Sequence, residues 1–155
     1  MAPVTHNPSE QRFGSTVAEI ISQNGFPMPV SKLKAAVLSA LPECSEEFFN
    51  AHIKHPAPGI KYAKVHGKNA YYHTDWAIDP VAKVRQFVLE RAAEILGDHQ
   101  ARACKDLAQT VLANNPALEG LFNPNSSQER SAVFADENLP QFGIVKNEDG
   151  TLQIQ

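Results

Sequence analysis

The stretch GIKYAKVHGKNAYYHTDW, residues 59–76, decides the fold of the first half of this chain. It holds all three tyrosines, the only tryptophan and three lysines. Residues that favour β-strands lie on both sides of Gly67-Lys68-Asn69, a sequence typical of a short turn. These strand-favouring residues are Ile60, Tyr62, Val65, Tyr71 and Tyr72. The stretch therefore predicts two short strands joined as a β-hairpin, with Tyr62 and Trp76 sealing a small core.

Three amphipathic helices are predicted before this hairpin. Ser15, Ser31 and Ser45 each stand where a side-chain oxygen can cap a helix, and Gly25 suits the left-handed residue that ends the first one. Between the first two helices, FPMPV is expected to be extended, because each proline disfavours a helical conformation in the residue before it. The helices are predicted over residues 16–24, 32–41 and 46–55.

The order helix, extended piece, helix, helix, strand, turn, strand over residues 14–76 resembles the winged helix-turn-helix. The resemblance implies that the third helix enters the major groove of DNA and that the hairpin lies along the backbone or the minor groove. The predicted fold class is mainly α with a small β-hairpin. A winged-helix domain is followed by a helical hairpin and a largely irregular acidic tail.

The other segments have simpler patterns. Residues 1–13 contain two prolines and no apolar periodicity, which predicts a mobile arm. Residues 77–122 predict a helical hairpin in which Pro80 opens one helix and Asp98 caps the next. Residues 123–155 carry two basic and five acidic groups, and predict an acidic tail with a possible terminal β-hairpin around Asp149-Gly150.

The helical hairpin has two apolar stripes that it cannot bury alone. They can pack within the chain, or they can form a homodimer interface, which is the preferred interpretation. The residues expected at that interface are Val81, Val84, Val88, Ile95, Leu107 and Val111.

Candidate DNA contacts follow from the resemblance and from the chemistry of the side chains. Lysines attract phosphates and asparagine can pair with adenine, whereas exposed lysines on a hairpin can also serve only solubility. Glu46 and Glu47 would repel phosphates, and no arginine lies between residues 13 and 84 to read guanine. The candidates are Lys32, Lys34, Asn50, His52, Lys54, Lys61, Lys64, Lys68 and Asn69.

Other functional classes have little support in the sequence. The histidines at 52, 55, 66 and 73 with Cys44 have no paired metal-ligand spacing, and no catalytic motif is present, so no metal, cofactor or enzymatic activity is expected. Two cysteines among 155 residues, a net charge of −3 and the absence of a long apolar run predict a cytoplasmic protein without a membrane segment.

Two functional hypotheses follow. The first is a DNA-binding winged-helix protein, a dimeric transcriptional regulator or a small accessory factor. The second is a winged-helix protein-interaction module, acting as an adaptor or as a subunit of a larger assembly without direct DNA binding. The feature that distinguishes them is whether basic residues of the second and third helices converge with the hairpin on one face.

Overall fold

The computed structural model describes residues 8–155, and it confirms a mainly helical chain with a small antiparallel β-hairpin. The chain forms two compact units, Met1–Pro80 and Val81–Gln155. In residues 8–155, no helix is both long enough and apolar enough to cross a membrane. The first unit contains α1 (Glu10–Asn24), β1 (Met28–Pro29), α2 (Val30–Ala40), α3 (Glu46–His52), β2 (Ile60–Val65) and β3 (Lys68–His73). The second contains α4 (Pro80–Ile95), α5 (Cys104–Asn114), α6 (Ser127–Val133), β4 (Ile144–Lys146) and β5 (Leu152–Ile154).

Helix α1 starts earlier than the sequence predicted. Its N-cap is Ser9, whose side chain accepts a hydrogen bond from the Arg12 amide, so Ser15 lies inside the helix. The early start extends the apolar face by one turn and buries Phe13. Of the predicted mobile arm, residues 1–7 lie outside the described residues, and residues 10–13 are helical. Gly25, with φ of 81°, ends the helix as predicted.

The boundaries of α2 and α3 also differ from the prediction. Helix α2 begins at Val30 directly after Pro29, without a side-chain cap, so Ser31 is not the capping residue. Ser45 does cap α3, as predicted, and its hydroxyl accepts a hydrogen bond from the Phe48 amide. Helix α3 ends at His52 instead of residue 55, because the chain turns towards the following Pro-Ala-Pro-Gly segment.

A three-stranded antiparallel sheet completes the first unit, with the strand order β1-β3-β2. The short β1 pairs with β3 through Met28 and Tyr71, so the extended FPMPV segment reaches the hairpin. The β2–β3 turn consists of His66 and Gly67 alone, with φ of 51° and 77°. The prediction of a turn at 67–69 was wrong, because His66 and Gly67 are the residues with positive φ, and Lys68 and Asn69 belong to β3.

The core of the first unit joins the three helices to the sheet. Phe13 lies edge-on to Phe49, with ring centroids 5.9 Å apart, which fixes α1 against α3. Trp76 is partly buried against this core, as predicted. The buried members are Phe13, Val17, Ile21, Met28, Leu33, Val37, Leu41, Cys44, Phe49, Ile53, Ile60 and Tyr71.

The second unit confirms a helix starting at Pro80 but corrects the cap of the next helix. Helix α5 begins at Cys104 after Ala103, so Asp98 does not cap it. Asp98 instead accepts two hydrogen bonds from the Arg102 guanidinium, at 2.8 and 2.7 Å. This contact lowers the pKa of Asp98 to about 2, mainly through the side-chain hydrogen bond.

The segment after residue 122 is packed, in contrast to the predicted irregular tail. Helix α6 is capped by Ser126, and β4 pairs with β5 as an antiparallel hairpin around the predicted Asp149-Gly150 turn. Arg102 exchanges backbone hydrogen bonds with Leu152 of β5, so the hairpin is tied into the second unit. The prediction followed the acidic composition of this segment and missed its scattered apolar residues. The apolar residues that are buried here are Val133, Phe134, Leu139, Ile144 and Leu152.

Candidate nucleic-acid interface

The β2–β3 hairpin carries three exposed lysines, Lys61, Lys64 and Lys68. None of them forms an ion pair with another residue in the described part of the chain. No acidic residue occurs between residues 60 and 73, so nothing within the hairpin neutralises them. The structure therefore leaves three positive charges on one short hairpin available for an anionic partner.

The strand register divides these lysines between the two faces of the hairpin. Lys64 lies opposite Asn69 and Lys61 lies opposite Tyr72, while Val65 lies opposite Lys68. Because side chains alternate along a strand, Lys64 and Asn69 share one face and Lys61 and Lys68 share the other. The lysines therefore flank the hairpin instead of forming a single row.

Tyr62 is exposed, and its predicted place in the core was wrong. Its side chain is 51% exposed, the one large apolar residue so open between residues 8 and 155. It stands on β2, an edge strand, and its ring centroid lies 5.5 Å from that of the buried Tyr71. Burial, and secondarily the neighbouring Tyr62, raises the pKa of Tyr71. Strand alternation puts Tyr62 on the face of the buried Ile60, and only the sheet order shows that Tyr62 is at an edge.

Helix α3 presents a mixed face to solvent. Glu46, Glu47 and Asn50 are exposed on it, and Lys54 is exposed in the turn that follows. Glu46 is paired with Lys34 of α2, with 3.5 Å between the carboxylate and the amine. This pair reduces the negative charge of the helix, but it also occupies a lysine that was expected to hold the DNA backbone.

His52 does not face outward, which corrects its predicted role in reading bases. Its Nδ1 lies 2.9 Å from the Phe48 carbonyl oxygen, and its Nε2 lies 3.3 Å from a carboxylate oxygen of Glu10. Its ring also stacks on Phe48, with centroids 4.0 Å apart. Both ring nitrogens are engaged within the first unit, so His52 joins α3 to the start of α1.

The remaining candidate metal ligands are dispersed. His73 donates to the Ala18 carbonyl at 2.7 Å, His66 forms the hairpin turn, and Cys44 is buried. Among residues 8–155, no three histidine, cysteine or acidic side chains are grouped so that they could hold a metal ion. Burial, with a contribution from Glu43, raises the pKa of Cys44, as expected for a small core thiol.

The six residues expected at a homodimer interface are largely covered within one chain. Four of them, Val84, Val88, Leu107 and Val111, are buried, and the other two, Val81 and Ile95, are half-buried. A second copy is therefore not needed to cover the four buried side chains. The homodimer stays a prediction.

Comparison with known proteins assigns the chain to no family. No family model, curated protein or solved structure matches the chain. Chemically, the hairpin offers ammonium groups to phosphates, an amide at Asn69 and an exposed aromatic ring at Tyr62. Helix α3 adds the exposed Asn50 amide and the nearby Lys54.

Proposed function

We propose that the chain is a winged-helix DNA-binding protein, acting as a transcriptional regulator or a small accessory factor. The observation that carries this proposal is the set of three exposed lysines on the β2–β3 hairpin that form no ion pair with any residue from 8 to 155. In this proposal the hairpin is the wing. Lysines that contact phosphates release counterions from DNA, which gives an affinity that falls steeply with salt.

The topology of the first unit supports the winged-helix interpretation. The hairpin follows three helices, and the extended segment between α1 and α2 pairs with β3 of the hairpin. In such a fold the third helix reads bases in the major groove. Here Asn50 is the exposed amide on α3 and Lys54 is the exposed cation after it, so these two side chains take the base-reading role.

Two other predicted contacts have different roles in this proposal. His52 contributes to orienting α3 through Glu10 and Phe48, instead of touching a base. Lys34 forms an ion pair with Glu46, whereas Glu47, the other exposed acid of α3, has no ion pair with a residue in the described range 8–155. Because helix α3 is short and weakly charged, most of the binding free energy is expected to come from phosphate contacts at the wing.

The direct test is binding of the purified protein to a random pool of duplex DNA, at low and at physiological salt. Recovery of a defined site would support a sequence-specific regulator, and a palindromic site would also support the homodimer. Weak binding that disappears at physiological salt would contradict a specific regulator. No binding at low salt would overturn DNA binding altogether.

The exposed Tyr62 favours a second candidate, a protein-interaction module. Tyrosine is enriched where protein interfaces concentrate their binding energy, and Tyr62 is half exposed on an edge strand. The acidic Glu47 on α3 also suits a protein partner better than a phosphate. Under this alternative, the protein shows no salt-dependent affinity for duplex DNA, and Tyr62→Ala abolishes capture of a specific partner.

A further inference from the structure

We propose that Tyr62, Lys64 and Asn69 form a stacking site for an unpaired nucleobase at the junction between duplex and single-stranded DNA. The inference rests on the proposed function, and it names the substrate class of the same hairpin. These three residues, called here the stacking face, are exposed and lie on one side of the hairpin.

The aromatic ring of the stacking face is held in place from below. Tyr62 lies opposite Tyr71 in the register, and the two rings are tilted by 46° with centroids 5.5 Å apart. Tyr71 is only 4% exposed and belongs to the core, so it supports one side of the Tyr62 ring. A ring with a fixed support and an open side loses little conformational entropy when it stacks on a ligand.

The polar members of the stacking face suit a nucleotide. Lys64 follows Tyr62 by two residues on the same strand, about 7 Å away, so its ammonium can reach the phosphate of a base stacked on the ring. Asn69 faces Lys64 across the strand pair and offers an amide that donates and accepts hydrogen bonds. An aromatic platform with neighbouring cations is the arrangement that binds unpaired bases.

An unpaired base fits this site better than a base pair. In a continuous duplex the faces of the bases are already stacked on each other, and only their edges are open in the grooves. At the end of a duplex, an unpaired base exposes its face to an aromatic side chain. Lys61 and Lys68 on the other side of the hairpin remain available for the phosphates of the adjoining duplex.

The test compares two fluorescent DNA probes, a blunt duplex and the same duplex with a short thymine overhang. Fluorescence anisotropy should show that the protein binds the overhang duplex roughly tenfold more tightly, since stacking of one base has about that effect. Tyr62→Ala and Tyr62→Leu should both remove this preference, so that each variant binds the two probes with equal affinity. Tyr62→Phe, which keeps the ring, should retain the preference.

The outcomes separate this inference from the proposed function. Binding of both probes with equal affinity, unchanged by Tyr62→Ala, would overturn the stacking site while DNA binding stands. Loss of the preference in Tyr62→Ala but not in Tyr62→Leu would also overturn it, because apolar contact alone would then explain the effect. If the unmodified protein binds neither probe at low salt, both proposals fail. Circular dichroism checks that each variant is folded, as expected for an exposed position.

Discussion

Residues 8–155 contain two antiparallel hairpins, which differ in how their charged side chains interact. In β2–β3, strands of six residues carry three exposed lysines with no ion pair in the described chain. In β4–β5, strands of three residues carry Lys146 alone, which pairs with Asp136 at 2.8 Å. Backbone hydrogen bonds between Arg102 and Leu152 further tie β5 into the second unit.

This difference shows what makes a hairpin a candidate interface. Both hairpins have a glycine at the turn and a mixture of apolar and polar residues. Only β2–β3 combines unneutralised cations with an exposed aromatic residue, Tyr62. The second hairpin uses its polar groups internally, so it serves the packing of its own unit. Available charge and exposure, and not the hairpin motif, therefore distinguish the candidate interface.

The largest expected effect comes from removing the support beneath the first hairpin. Tyr71→Ala deletes a buried ring that packs between Tyr62 and the core, and should lower the free energy of unfolding by about 3 to 5 kcal/mol. Urea denaturation measures this change, with Tyr71→Phe as the control that keeps the ring. If the two variants were equally stable, the ring would not support the hairpin.

A smaller loss of stability is expected when the turn glycines are replaced, and it should be similar in the two hairpins. Gly67 and Gly150 have φ of 77° and 86°, and a Cβ added at either position would meet no atom within 4 Å. Alanine should therefore cost about 1 to 2 kcal/mol at each site, through the left-handed backbone alone. Denaturant midpoints of Gly67→Ala and Gly150→Ala measure this cost, and an increase in stability in either variant would contradict it.

The smallest effect is a pH dependence of stability that the second hairpin has and the first hairpin lacks. The Thr151 hydroxyl and then its amide donate to Asp149, which lowers the pKa of this carboxyl. A carboxyl with a lowered pKa stabilises the fold above its unfolded pKa of about 3.9, and this contribution is lost as the pH falls through the folded value.

The measurement for this effect is thermal unfolding across pH. Asp149→Ala should have a slightly lower Tm than the unmodified protein at neutral pH, and the difference should close in acid. A difference that persisted unchanged below the folded pKa would show that the carboxylate charge is not its cause. The first hairpin contains no acidic residue between residues 60 and 73, so no carboxyl group within it can cause a similar acid dependence.

Local chemistry made much of the fold predictable. Strand propensity located both strands of the first hairpin, and Gly25 and Ser45 marked helix ends because backbone conformation and capping act within a few residues. The same local rules placed caps at Ser15 and Ser31, where Ser9 and Pro29 stand instead. There, the burial of residues distant in sequence decides the helix start.

The candidate site was less predictable, because it depends on long-range pairing. The lysines were identified from composition, yet their division between two faces follows from a register that begins at a two-residue turn. The exposure of Tyr62 could be predicted only from the sheet order, since an edge strand is defined by its missing neighbour. The inward orientation of His52 depends on its contact with Glu10, which lies 42 residues away in sequence. Such contacts leave no local pattern.

The most direct test of the central claim is the salt dependence of binding to duplex DNA. Lys61→Ala/Lys68→Ala removes two charges from the first hairpin, and Lys105→Ala/Lys146→Ala removes two from the second unit as a control with the same net charge. We expect the first variant to bind more weakly. The slope of its plot of log affinity against log salt should be less negative by roughly 2, while the control matches the unmodified protein. Equal slopes for all three proteins would contradict a DNA-binding role for the hairpin.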